Sequence, residues 1–224
     1  MKTQRFLVLV LGVLGCSKPQ QPSLENFTRG MNTYLQKRGD LCLGKTTWPI
    51  GVTDREAAAG QRDGVQMPVL ERLGLVQSVA ATLTSQGEDG PATEKGRSYQ
   101  LTEAGRRYYV VRPTAGRDGL ARDQGDFCPV KLSLDKIMRF ELEPATAGAG
   151  HAVVSYRYRV SAPDWMKDAD AERVFPAVAR VIAGAGAAEL QEGFTLTSSG
   201  WVANDLLVDA AMPAAPGEKV ARRP

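Results

Sequence analysis

The sequence predicts an α+β protein, and three features predict it. In the first half, apolar residues recur every three or four positions, at Leu24, Phe27, Met31 and Leu35 and again at Val65, Val69, Leu70 and Leu73. That is the spacing of helices with one buried side. In the second half the period is two: Met138, Phe140 and Leu142 alternate with Arg139, Glu141 and Glu143, and Val154, Tyr156, Tyr158 and Val160 alternate with Ser155, Arg157 and Arg159. Alternation of that kind marks half-buried strands. Third, short Gly-, Pro- and Ser-containing stretches at Gln86–Gly96, Pro144–Gly150 and Ser198–Gly200 separate the strand candidates, which favours hairpins and an antiparallel sheet.

Taken in order, the elements begin at Ser23, a natural N-cap followed by Glu25 in the first helical turn, with Gly39 as the stop. Thr46 to Val52 reads as a short extended piece, and Asp54 is placed to cap a short helix through Ala59. Gly64 to Gly74 is a second helix, with Pro68 tolerated best in its first turn. Leu75 to Ser85 is rich in β-formers, Gln86 to Gly96 is a polar tip, Arg97 to Leu101 returns as a strand, and Thr102 caps a last turn through Tyr109. Thr114 to Gly125 is glycine-rich and charged and reads as part of a linker over 114–127. Beyond it, the strands around Met138–Leu142 and Val154–Val160 form a hairpin. Val174, Phe175, Val178, Val181 and Ile182 follow helical spacing, with Pro176 near the start, and Phe194–Thr197 and Trp201–Leu207 form a second hairpin. Residues 128–207 are thus an antiparallel β-β-α-β-β module, and residues 208–224, rich in Ala, Pro and charge, a flexible tail.

The N-terminus has a different logic. Lys2 and Arg5 precede the nine-residue apolar run Phe6–Leu14, which is followed by Gly15 and Cys16. A basic start, a short apolar core and a small residue at the cut make a secretory signal, and the run is far below the roughly 20 residues that span a bilayer as a helix. The segment Val13-Leu14-Gly15-Cys16 resembles the lipobox of bacterial lipoproteins. The resemblance implies cleavage after residue 15, lipidation (palmitate among the acyl chains) at Cys16, and a tether over residues 16–22. It also implies a body held at a membrane. Ser17, in place of an aspartate, is compatible with the outer membrane, with the body facing the periplasm. Cleavage removes fifteen of 224 residues and with them Lys2 and Arg5, so the formal charge of +3 falls to +1. A nearly neutral body argues against nucleic acid as an electrostatic partner. Cys16 is spent on lipid, and the remaining two cysteines, Cys42 and Cys128, are an even pair in an oxidising space, expected to form a disulfide.

The order helix, short strand, two helices, hairpin across 23–113 resembles a winged-helix domain. The local likeness is Leu70-Glu-Arg-Leu-Gly-Leu-Val76 followed by Tyr99-Gln-Leu-Thr-Glu-Ala-Gly105. Winged-helix proteins use the second helix of the pair to read DNA. Here that helix offers Gln66, Glu71 and Arg72 after Asp63, one arginine among acids, which makes a poor phosphate grip. The resemblance therefore implies the shape, turned to protein contact.

Catalytic and metal-binding constellations are not expected. His151 is the single histidine, placed beside a hairpin turn, and no second histidine or spare cysteine completes a zinc site with it. The pairs Glu141/Glu143 and Asp168/Asp170 read as solvated or capping groups. The most distinctive polar clusters are Arg106-Arg107-Tyr108-Tyr109 and Tyr156-Arg157-Tyr158-Arg159. Tyr156 and Tyr158 suit the core, and Arg106, Arg107, Tyr109, Arg157 and Arg159 are the candidate interface residues, because arginine and tyrosine supply both area and hydrogen bonds. The expectation is a lipid-anchored, non-enzymatic envelope protein without cofactor or metal that binds another envelope protein. The alternative is a periplasmic small-ligand carrier or sensor with a pocket lined by Trp48, Trp165 or Trp201.

Overall fold

The computed structural model describes residues 18–87, 90–115, 121–146 and 149–210. The expected signal segment, Cys16 and the residues beyond 210, where a tail was expected, lie outside them. Ser23 caps the first helix, α1 (Leu24–Arg38), by accepting from the Asn26 N–H. A two-residue strand, β1 (Asp40–Leu41), and β2 (Ile50–Thr53) follow. The short α2 (Asp54–Ala58) is capped by Thr53 rather than by Asp54, in a capping box with Glu56. The next helix, α3 (Arg62–Arg72), contains Pro68 in its middle, not in its first turn. A Cβ on Gly64 would sit 2.8 Å from the Ala57 Cα, which is why α2 and α3 can cross so closely.

Strands β3 (Val76–Gly87) and β4 (Gly90–Leu101) pair along their whole length, so the polar tip expected over Gln86–Gly96 is mostly strand. With β2 they make a three-stranded sheet in the order β2-β4-β3. The turn-like α4 (Glu103–Arg106) leads to β5 (Tyr109–Ala115) and β6 (Ala121–Phe127), an antiparallel pair. The linker expected over 114–127 is thus corrected: glycine and charge there serve a hairpin, with Gly125 giving room for the Tyr109 ring, whose hydroxyl donates to the Thr46 carbonyl at 2.6 Å.

The largest sheet has the order β1-β7-β8-β9-β10, built from β7 (Val130–Thr146), β8 (Ala149–Ser161), β9 (Glu189–Thr197) and β10 (Gly200–Ala203), antiparallel throughout. The β7 strand starts eight residues before its clear alternation because two register shifts, between Leu134 and Lys136 and between Ile137 and Arg139, break the phase. Leu132, Leu134, Ile137 and Phe140 face inward only because of those bulges, and Met138 is left 38% exposed. Between β8 and β9 lie a 3-10 turn (Asp164–Lys167), α5 (Ala169–Val174) and α6 (Pro176–Ala183). Pro176 opens α6, so the single expected helix is two. The final strand stops at Ala203, and α7 (Asn204–Ala210) follows where strand and tail were expected.

The expected division at residues 114–127 does not divide the packing. One core joins Phe27, Met31 and Leu35 of α1 to Val154, Tyr156, Tyr158, Phe194 and Trp201 of the five-stranded sheet. Phe27 packs on Phe140 at 4.7 Å between centroids and on Trp201 at 4.9 Å. The other core joins Val52, Met67, Leu70, Val76 and Tyr99 to Met166, Ala171, Val174 and Phe175 from the far end of the chain. Helix α1 therefore covers the large sheet and α5 packs on α3. The first helix that the winged-helix likeness would place against α2 and α3 is elsewhere.

Candidate functional site

The chain crosses between the two cores at residues 39–45 and 127–130, and the sulfur atoms of Cys42 and Cys128 are joined there at 2.04 Å. The residues after Cys42 are held tightly. The Leu43 N–H donates to the Phe127 carbonyl at 2.8 Å, and the Lys45 N–H donates to Asp126 Oδ1 at 2.7 Å. Gly44 between them has φ +72°, and a Cβ there would lie 2.9 Å from the Arg62 guanidinium. Arg62, at the start of α3, donates to the Leu43 carbonyl at 2.7 Å. Across from it runs the α5–α6 junction. Together they enclose a slot of about 220 Å³ lined mainly by Leu43, Arg62, Gln66, Val174, Phe175 and Val178.

Beneath the slot lies the most deeply buried charge among the described residues. The Lys45 side chain is 2% exposed and pairs with Asp63, which is 45% exposed. Its ammonium also donates to Gln66 Oε1 at 2.6 Å, and Gln66 Nε2 donates onward to the Val174 carbonyl at 2.8 Å. Burial pushes Lys45 below its ordinary value, with Asp63 pulling the other way. A buried cation is thereby used to hold one wall of the slot, Gln66, against the opposite wall at Val174. The slot is apolar in its walls, cationic at its rim, and smaller than the roughly 300 Å³ at which small-molecule sites begin.

The sequence-derived candidates fall on separate surfaces. Arg106 and Arg107 are exposed at the end of α4, beside half-buried Tyr109. Arg157 and Arg159 lie on the face of the large sheet away from α1. Arg159 donates to the Leu134 carbonyl at 3.0 Å and pairs with Asp135 at 3.9 Å, and the Arg157 Nε is buried without a partner. Tyr156 and Tyr158 are core residues, 4% and 3% exposed. Asp168 caps α5 and binds Arg72 of α3 at 2.6 Å, the guanidinium hydrogen bond holding its carboxyl below the usual range.

His151 is inside β8, with Nδ1 3.1 Å from Thr195 Oγ1, and the Thr195 hydroxyl donates to Asn204 Oδ1 at 2.8 Å. That proton points away from the histidine, the reverse of an activated nucleophile. The group Cys42, Asp126 and Cys128 has metal-ligand geometry, but its two sulfurs are spent on each other. Trp48 and Trp165 pack at tilted angles around Phe127, Trp48 also lines an open recess of about 420 Å³ with Tyr109 and Gln124, and Trp201 lines one of about 160 Å³ beside α1.

Sequence reasoning passed over Lys45 and Arg62, placed Asp63 only beside a potential reading helix, and took Phe175 only as part of a helical stripe. No local signal marks them, because the slot forms only when residues 42–45, α3 and the α5–α6 junction meet. Gln66 was noted only as a feature of a potential reading helix. No protein-family model, no curated protein and no solved structure matches the chain.

Proposed function

We propose that this is a bacterial lipoprotein, lipidated at Cys16, held at the periplasmic side of the outer membrane, which binds another envelope protein without catalysing a reaction. The observation that supports binding is the slot beside the Cys42–Cys128 disulfide: apolar walls of Leu43, Val174, Phe175 and Val178 under the Arg62 rim, with a volume suited to one apolar anchor side chain. Anchoring one side chain of a partner in a fully desolvated pocket is the common design of tight protein interfaces.

We also read the β2-β4-β3 sheet with α2 and α3 as a winged-helix-like unit turned to protein contact. The polar groups that would read DNA are tied internally. Asp63 holds Lys45, Gln66 spans the slot wall, Glu71 accepts from Ser78 at 2.7 Å, and Arg72 grips Asp168 and Asp170. Few are free for phosphate or base edges, which fits a protein partner better than a duplex.

The test is a photo-crosslinking amino acid at Ala177, on the exposed rim, in cells producing the full chain. A discrete adduct with one envelope protein is expected, lost on reversing the rim charge with Arg62→Glu. Adducts no more frequent than from a probe at Glu103 overturn the reading. A ligand-dependent rise in melting temperature without any adduct selects the small-ligand alternative.

A further inference from the structure

The segment that precedes α1 is not a free tether. The buried Asn26 amide, on a residue only 4% exposed, donates to the Lys18 and Gln21 carbonyls at 2.9 Å each, and Gln20 Nε2 donates to the Ser198 carbonyl at 3.2 Å. Gly200 has φ +113°, and a Cβ there would lie 3.1 Å from the Pro19 carbonyl oxygen, so the turn between β9 and β10 closes directly on this segment. Cys16 is two residues before Lys18. Two extended residues reach about 7 Å. An acylated Cys16 therefore holds this particular end of the body at the bilayer, with almost no slack.

That end presents two exposed leucines among charged groups, with Glu25, 63% exposed, next to Leu24 and Glu141, 75% exposed, next to Leu142. Helix α1 runs antiparallel to β7: Gly39 meets Leu132 at one end, and Phe27 meets Phe140 towards the other. Leu24 lies one turn beyond Phe27, and Leu142 lies two residues beyond Phe140 on the same side of the strand. Both extend past the edge of the core at the end where Lys18–Gln21 is fastened. They are 58% and 54% exposed, among the largest exposures of any large apolar residue described. Lys18, also exposed, adds a cation in the segment held against the start of α1.

We propose that this end of the α1–β7 layer is a membrane-contacting face, with Leu24 and Leu142 seated in the headgroup–acyl boundary of the bilayer. The proposal rests on the lipoprotein reading. The occupant is lipid because the fastened segment leaves no room for a protein layer between this end and the anchor. One acyl chain gives only marginal binding, and seated apolar side chains add to it while fixing which way the body faces. The slot beside Cys42 and Arg62 is then carried at a set orientation to the membrane.

The full chain, purified from membranes, is put into vesicles of phosphatidylethanolamine and phosphatidylglycerol containing doxyl-labelled phosphatidylcholine. A fluorophore is attached in turn at Leu24→Cys, Leu142→Cys, Val79→Cys and Val111→Cys; the last two are equally exposed apolar positions on β3 and β5. Mass analysis of the same sample reads Cys16. Quenching roughly threefold or more stronger at 24 and 142 than at 79 and 111 is expected. Equal quenching at all four positions, with Cys16 acylated, overturns this inference alone. A bare thiol at Cys16 overturns the lipoprotein reading and this inference with it.

Discussion

Replacing Asp63 by alanine tests whether the slot wall is held by a buried charge. Lys45 is 2% exposed and its carboxylate partner 45% exposed, so the two members of the pair are not equivalent. Removing Asp63 strands an ammonium in the interior with Gln66 as its remaining side-chain partner, and breaking a buried pair in this way costs 3–5 kcal/mol. Asp63 reaches water, so the lower end, about 3 kcal/mol, is expected. Lys45→Met removes the charge itself and fills similar volume. It leaves Asp63 free to hydrate and costs about 1–2 kcal/mol, chiefly for the stranded Gln66 Oε1. The double variant should match Lys45→Met alone, giving a coupling of about 3 kcal/mol in a double-mutant cycle. The assay is urea unfolding followed by tryptophan fluorescence. The pH dependence carries a sign as well. Lys45 is depressed in the folded state, so between its folded value and its ordinary value of 10.5 the unfolded chain binds a proton that the native one does not. Stability attributable to this group therefore rises with pH through that interval, more steeply in Asp63→Ala. A Lys45→Met loss equal to or larger than the Asp63→Ala loss refutes the reasoning.

Three further outcomes are expected. Gly30→Ala places a methyl 2.8 Å from Phe194 Cε1 and from the Trp201 carbonyl oxygen, and overpacking at the α1–sheet contact should cost about 1–3 kcal/mol in a thermal melt. Removing the disulfide with Cys42→Ser and Cys128→Ser frees a loop of 86 residues, for which loop entropy gives a loss of up to about 4.6 kcal/mol, read from denaturant midpoints. Glu192, with the Tyr34 hydroxyl against it, is raised above its ordinary value of 4.5 by burial. The native state then keeps a proton that the unfolded chain releases, so stability falls as pH rises from 4.5 through the folded value, and Glu192→Gln should flatten that slope in unfolding curves from pH 4 to 7.

Much of the secondary structure was legible because periodicity is local. The alternation from Val154 to Val160 and three members of the α1 stripe, Phe27, Met31 and Leu35, name residues of the core, while the fourth, Leu24, is exposed at the end of the helix. The sequence reading lost its way where tertiary geometry reset the phase. Bulges at Asp135 and Met138 hid the first half of β7, and backbone pairing turned the glycine-rich stretch before Phe127 into strand. Which helix covers which sheet was not legible at all. An apolar stripe states that it needs a partner and is silent about which one, so α1 and α5 were each assigned to their neighbours in sequence. The slot was lost for the same reason, since its walls are up to 136 residues apart, from Cys42 to Val178.

That exchange of helices bears on what the disulfide does. Two modules with private cores could separate with little loss, and a bridge between them would only limit their motion. Here each core contains helices from both ends of the chain, and the crossing strands meet where β1 pairs with β7 at Leu41 and Val130, next to Cys42 and Cys128. The same few residues set the Leu43 wall, the Arg62 contact and the Lys45 anchor. The bridge is therefore better understood as part of the slot's frame than as a staple between domains. A reduced protein that stays folded should lose the Ala177 adduct before it loses its helices by circular dichroism.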